Sequence, residues 1–140
     1  MENLFDKIFA QNIFIEEPPI LVDVGASGEV HKKFKPVAKY STCIAFDADE
    51  REMHQVLAKD NKEYKKFYVV NSVLSEKDDK QIPFYLTKYP FCSSTLEPDT
   101  ENLKYWDRAD IFEINNLSTI KATNLSEIMN ELDVKGFDWF

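Results

Sequence analysis

Apolar residues are grouped along the chain in short runs set between polar stretches. The first clear run is Ile20-Leu21-Val22-Asp23-Val24, entered from Pro18-Pro19, where proline stops a preceding helix and favours an extended approach. Only Asp23 interrupts the apolar character, so both faces of the predicted strand are expected to be covered, as in a parallel strand between two helical layers. A turn follows at Gly25-Ala26-Ser27-Gly28-Glu29, then a helix-compatible stretch from Val30 to Ala38 with Val30, Phe34, Val37 and Ala38 apolar. Pro36 limits that helix to a short or broken one. A second strand is predicted from Cys43 to Phe46. Next come an amphipathic helix from Glu50 to about Ala58, with Met53, Val56 and Leu57 on one face, and a third strand from Phe67 to Val70.

Strand, helix, strand, helix, strand with short connections is the order of a parallel α/β sheet with right-handed crossovers. Beyond it the texture changes. Leu74 to Asp79 reads as a polar turn, Ile82 to Leu86 alternates like a strand, and Lys88 to Asn116 is a long irregular tract rich in aromatics and charges. In a compact domain a tract of that length is functional or conceals an element. Leu117 to Thr123 is a predicted strand. Asn124 then caps a helix to about Leu132, with Glu127 placed as in a capping box and Leu125, Ile128, Met129 and Leu132 apolar. Gly136-Phe137-Asp138-Trp139-Phe140 opens a further strand. The expectation is a single domain over residues 1–140, cut short of the crossover helix and strands that would follow.

Composition bears on the function classes. Apolar residues make up 44% and aromatics 14% of the 140 residues, enough to build a packed interior, and Trp106, Trp139 and the phenylalanines are expected in the core. Twenty-five acidic residues against 17 basic ones leave a net charge of −8, which repels phosphate backbones over most of the surface and argues against a nucleic-acid partner. Lys32, Lys33 and Lys35 form a short basic cluster that reads as a solvated helix face, and His31 and His54 read as isolated surface residues. Cys43 and Cys92 lack the spacing of a zinc site; both are expected to be reduced thiols, Cys43 within the apolar run Cys43-Ile44-Ala45-Phe46. No run approaches the roughly 18 apolar residues of a membrane span, and Met1-Glu2-Asn3 does not open a secretory leader. The expected setting is cytoplasmic, without membrane association.

The chemistry centres on Asp23-Val24-Gly25-Ala26-Ser27-Gly28. Glycines directly after a strand allow close approach of backbone to a ligand, and a following helix start offers unpaired N–H groups to oxygen-rich ligands. A dinucleotide fingerprint counted from Gly25 requires glycine at Ser27 and Val30, so an NAD-dependent enzyme is disfavoured. Asp47 ends the next strand at roughly the 20-residue spacing at which an acidic side chain meets a ribose hydroxyl pair in doubly wound folds. Asp49 is the other candidate, and Asp47 is preferred because it directly follows the apolar run.

Val22-Asp23-Val24-Gly25-Ala26-Ser27-Gly28 resembles the first motif of class I S-adenosylmethionine-dependent methyltransferases, in particular the V-D-V-G-A-N-x-G form of the FkbM family. Ala45-Phe46-Asp47-Ala48-Asp49 is similar to that family's second-strand ending, Phe-Glu-Pro, with Asp for Glu and Ala for Pro. Val70-Asn71-Ser72-Val73-Leu74-Ser75 is similar to its third-strand region and Cys92-Ser93-Ser94-Thr95-Leu96 to a serine-rich stretch. Asn124-Leu125-Ser126-Glu127-Ile128 with Phe137-Asp138-Trp139-Phe140 resembles the helix and strand before the family's Lys-Ile-Asp-x-Glu-Gly motif, which would begin after Phe140. The likeness runs from about Pro19 to Phe140.

The resemblance implies an α/β, Rossmann-like class I methyltransferase fold, a mainly parallel sheet with helices on both faces, truncated at the C-terminus. It implies S-adenosylmethionine as cofactor and methyl transfer to a hydroxyl oxygen of a sugar or small natural product, the acceptor being a small molecule. Gly25, Ala26, Ser27 and Gly28 would border the methionine part, Asp23 would hold its ammonium, Asp47 the ribose, and Ala48, Ser72 and Val73 would line the adenine. The segment Cys92 to Thr95 is open between an acceptor-side role and a plain polar loop, and no residue stands out as a general base. Glycines making only a tight turn, and a non-catalytic nucleotide-binding or interaction module of the same fold, are the alternatives.

Overall fold

In the computed structural model, residues 4–52, 62–76 and 81–140 are described. The predicted strands form where the apolar runs lie: β1 at Ile20–Val24, β2 at Thr42–Phe46 and β3 at Lys66–Val70. They pair in parallel in the order β1-β2-β3, with Leu21 opposite Cys43 and Cys43 opposite Phe67. Every residue of β2 is buried, as expected of a strand with a neighbour on each edge and cover on each face.

The alternation of side chains along a strand divides the core in two. Leu21, Cys43 and Ala45 point to one face, where they meet Phe9 of α1 (Leu4–Phe9), Phe14 of α2 (Asn12–Glu16) and Val37 and Ala38 of a 3-10 helix, Lys32–Tyr40. Val22, Ile44 and Phe46 point to the other, against Ile128 and Leu125 of a later helix, Leu125–Glu131. The chain is thus a mixed α/β protein with a small three-stranded parallel sheet that has helices packed on each face.

Several expectations need correction. The helix predicted from Val30 to Ala38 is the tighter 3-10 form and begins at Lys32. Pro36, inside it, supplies no N–H for an α-type bond and disfavours α geometry at Lys35. The N-terminal helices α1 and α2 were not foreseen. Leu74, expected in a polar turn, instead pairs: β4 (Val73–Leu74) runs parallel to Ala122 and Thr123. The sheet is also less parallel than expected, because β5 (Gln81–Thr87) and β6 (Ile114–Thr123) form a long antiparallel ladder, giving a second sheet ordered β4-β6-β5. The outer part of β6 is mostly exposed, which antiparallel strands tolerate. The irregular tract between them holds three short helical turns, Pro90–Cys92, α3 (Thr100–Leu103) and Ala109–Phe112. Trp106 and Trp139, expected in the core, are 50% and 45% exposed. Of the amphipathic helix expected from Glu50, residues 50–52 are helical, and Met53, Val56 and Leu57 lie outside the described residues, as does His54.

The last segment decides the surroundings of β1. Trp139 forms a parallel bridge with Leu21, accepting from Val22 N–H at 2.9 Å, while Asp138 N–H donates to the Ile20 carbonyl at 2.8 Å. Since Leu21 already pairs with Cys43 of β2, Trp139 occupies the opposite edge of β1. Chain order therefore reverses at β1. Among the described residues no helix is long and apolar enough to cross a membrane.

Candidate functional site

The carboxyl ends of β1, β2 and β3 are drawn together by backbone bonds. Gly25 and Ala26 N–H groups both donate to the Phe46 carbonyl, at 2.9 and 3.0 Å, and Asp47 N–H donates to the Val70 carbonyl at 3.2 Å. Gly25 and Gly28 have φ of +82° and +74°, a region that side chains disfavour, which accounts for glycine at both positions. At Gly28 a Cβ would in addition come within 2.9 Å of the Glu52 carboxylate.

These strand ends border a cleft of about 240 Å³ lined by Gly25, Asp47, Ala48, Ser72 and Val73, with Ser93, Ser94 and Thr95 contributed by the turn after β5. Five expected cofactor residues are therefore brought together. Asp23, Ala26, Ser27 and Gly28 do not line this cleft. The Asp23 carboxylate accepts the His31 N–H at 2.8 Å and so tethers the start of the 3-10 helix to β1; Ala26 is 2% exposed. Asn71 and Ser72 brace the far side: Asn71 Nδ2 donates to the Asp47 carbonyl at 3.1 Å and the Ser72 hydroxyl to the Lys121 carbonyl at 2.8 Å.

Asp47 is 8% exposed. Its Oδ1 accepts the Asp49 N–H at 2.8 Å, while the buried Oδ2 has no hydrogen-bond partner among the described residues. Burial raises its pKa above the ordinary carboxylate value; the bond from Asp49 opposes this, and the charges of Asp49, Glu52 and Asp23 add to the rise. Asp49 differs. Its burial alone would raise its pKa, but hydrogen bonds from the Arg51 side chain, Ser93 and the Arg51 backbone outweigh that and hold it below the ordinary value. Of the two candidate acids, Asp49 has its oxygens engaged and Asp47 has one to offer.

A neighbouring cleft of about 430 Å³, over the β5–β6 ladder, shares Ala48 and Phe84 with the first. A larger cleft, about 590 Å³, lies at the amino ends of the strands, against Ile20, Thr42 and Lys66, away from the glycine turn and from Asp47 and Asp49. Arg51 and Phe84 were not singled out in the sequence, and Ser94 and Thr95 were left open between an acceptor-side role and a plain polar loop. Ser93, Ser94 and Thr95 were visible there as a polar cluster, but nothing local linked them to β2.

No family model, curated protein or solved structure matches the chain.

Proposed function

We propose that this chain is the cofactor-binding part of an S-adenosylmethionine-dependent methyltransferase, with the Rossmann-like topology and FkbM-like character that its motifs resemble. The acceptor in this reading is a hydroxyl oxygen of a sugar or small natural product. The observation that carries it is Asp47 Oδ2, a buried carboxylate oxygen without a hydrogen-bond partner among the described residues, at the carboxyl end of β2 in one cleft with Gly25, Ser72 and Val73. Buried acceptors are rarely left unpaired, and a vicinal pair of ribose hydroxyls supplies the missing donor. The reversal of chain order at β1 supports the same reading, since ligands of open α/β sheets bind outside the carboxyl ends of strands at such a point.

The cofactor supplies an electrophilic methyl group on a sulfonium. The residues of this chain bind and orient: Asp47 accepts the ribose hydroxyls, Gly25 leaves room for the methionine part, and Ala48, Ser72 and Val73 flank the base. Negative charge on Asp23 and Glu52, close enough to be felt at Asp47, adds to that of Asp47 and suits a ligand that carries a sulfonium and an ammonium. Orientation of the acceptor against the methyl carbon provides much of the acceleration in such transfers. Among the described residues Asp47 is the one titratable side chain lining the cleft, which favours, as a second reading, a nucleotide-binding module without catalysis.

Calorimetric titration with S-adenosylhomocysteine tests the reading, with NAD as control and Asp47→Asn as the variant. Saturable binding is expected, weakened roughly ten- to a hundredfold by the substitution, the loss of hydrogen bonds to a charged group. Binding of NAD without binding of S-adenosylhomocysteine overturns it. Methyl transfer to a polyhydroxylated acceptor separates the enzyme from the binding module.

A further inference from the structure

Arg51 is joined to three separate parts of the chain. Its Nε donates to Asp49 Oδ1 at 2.8 Å and one terminal nitrogen to Asp49 Oδ2. That same nitrogen donates to the Ser93 hydroxyl at 3.1 Å, and the other donates to the Thr87 carbonyl at 3.0 Å. Ser93 in turn donates to Asp49 Oδ2 at 2.9 Å and accepts the Thr87 N–H at 3.2 Å. Asp49 is 2% exposed, so these bonds are made around a buried charge that depends on them. The segment they hold continues into Ser94 and Thr95. Ser94 is paired with Tyr85 of β5 through both of its backbone groups, at 2.8 and 3.2 Å.

From this arrangement we propose that Arg51 is a positioning residue: through Asp49 and Ser93 it fastens the segment Ser93 to Thr95 to the end of β2, and so builds the hydroxyl-bearing wall of the cleft that holds Asp47. Without the fork of Arg51, the side-chain bond that remains between this wall and the end of β2 among the described residues is the one from Ser93 to Asp49. Asp49 would then be a buried carboxylate stripped of its cation. The planar guanidinium serves both oxygens of Asp49, a hydroxyl and a carbonyl at once; the point charge of lysine cannot reproduce that geometry. The wall is polar, so the ligand it admits is one that exchanges hydrogen bonds with serine and threonine hydroxyls. The inference concerns the same cleft as the methyltransferase reading and rests on it only for the choice of ligand.

The test compares the whole chain with its Arg51→Ala and Arg51→Lys variants by amide hydrogen exchange and by titration with S-adenosylhomocysteine. Arg51→Ala is expected to speed exchange at Tyr85, Thr87 and Ser94 at least tenfold while the β1–β2 ladder keeps its protection, and to weaken the ligand at least tenfold. Arg51→Lys is expected to recover only part of both. Unchanged exchange at Tyr85, Thr87 and Ser94 overturns the proposal whether or not the ligand binds. Acceleration spread equally over the β1–β2 ladder also overturns it, because that is general destabilisation. So does full affinity in a variant whose wall has loosened. If the wall loosens as expected but the unaltered chain binds no S-adenosylhomocysteine, the fastening stands and the cofactor reading falls.

Discussion

Arg51 donates to both oxygens of the Asp49 carboxylate and Ser93 to one of them, while Asp47, two positions earlier, keeps one oxygen buried and unpaired among the described residues. For Asp47 this has a consequence for stability. A carboxyl whose pKa is raised on folding binds its proton more tightly in the native state, so its charged form weakens the fold. The penalty is absent below the ordinary carboxylate value, grows as pH rises through the raised value, and is complete above it. Asp47→Asn keeps an oxygen for the Asp49 N–H and removes the charge. It is expected to raise stability by about 1 kcal/mol at neutral pH, with the gain vanishing near pH 3. Urea unfolding at the two pH values measures this. The same substitution weakening ligand affinity while strengthening the fold is the signature of a binding residue kept at a cost to stability. Sequence spacing singled out Asp47 and Asp49 as a pair. It also preferred Asp47, for its place directly after the apolar run; that Asp49 is engaged by Arg51 and Ser93 was not legible, because Ser93 is distant in the chain.

At the scale of elements, local chemistry and local structure agree best where the helix is short and well capped. In α4 (Leu125–Glu131) the Asn124 side chain accepts the Glu127 N–H at 2.7 Å, and the Glu127 carboxylate accepts the Thr123 hydroxyl at 2.8 Å. Both residues were legible as a helix start because capping depends on spacing alone. Asn124→Ala is expected to cost about 1 kcal/mol, seen as a lowered midpoint in thermal unfolding, and to loosen the Ile128 and Leu125 packing on Val22, Ile44 and Phe46. The element from Lys32 to Tyr40 shows the opposite case. Its apolar spacing matched a helix, but the form it takes was set by Pro36, by the Asp23 bond to His31, and by burial of Val37 and Ala38 under the sheet. The β5–β6 ladder was half legible: the alternation at Ile82 to Leu86 marked a strand, yet its partner and direction came only from the return of the chain at Ile114.

Over the whole molecule, β1 is central because two segments from far apart in sequence, β2 and the stretch at Trp139, cover its two edges. Removing residues 137–140 strips Val22 N–H and the Ile20 carbonyl of their backbone partners and Ile20 N–H of the Asp138 carboxylate. The expected outcome is a loss of about 2 kcal/mol, a melting temperature lower by roughly 5 °C, and a rise in self-association through the bared edge. Light scattering alongside thermal unfolding reads both effects; a shortened chain that stays equally stable and monomeric would show that the Trp139 bridge contributes nothing. Burial tells the same story in side chains. Trp139 and Trp106 are large and apolar, yet composition alone put them inside, whereas the fold leaves them half exposed.

The sequence by itself determined the parallel strands β1, β2 and β3, the glycine turn after β1 and the capped helix from Leu125. Each follows from periodicity, backbone freedom or capping within a few residues of itself. The tertiary structure alone decided that Asp47 has an oxygen unpaired among the described residues, that Arg51 bonds Ser93 near the strand ends, that β5 and β6 run antiparallel, and that Trp139 lies beside β1. Those depend on which distant groups meet, and on which of them are left without water or a partner when they do.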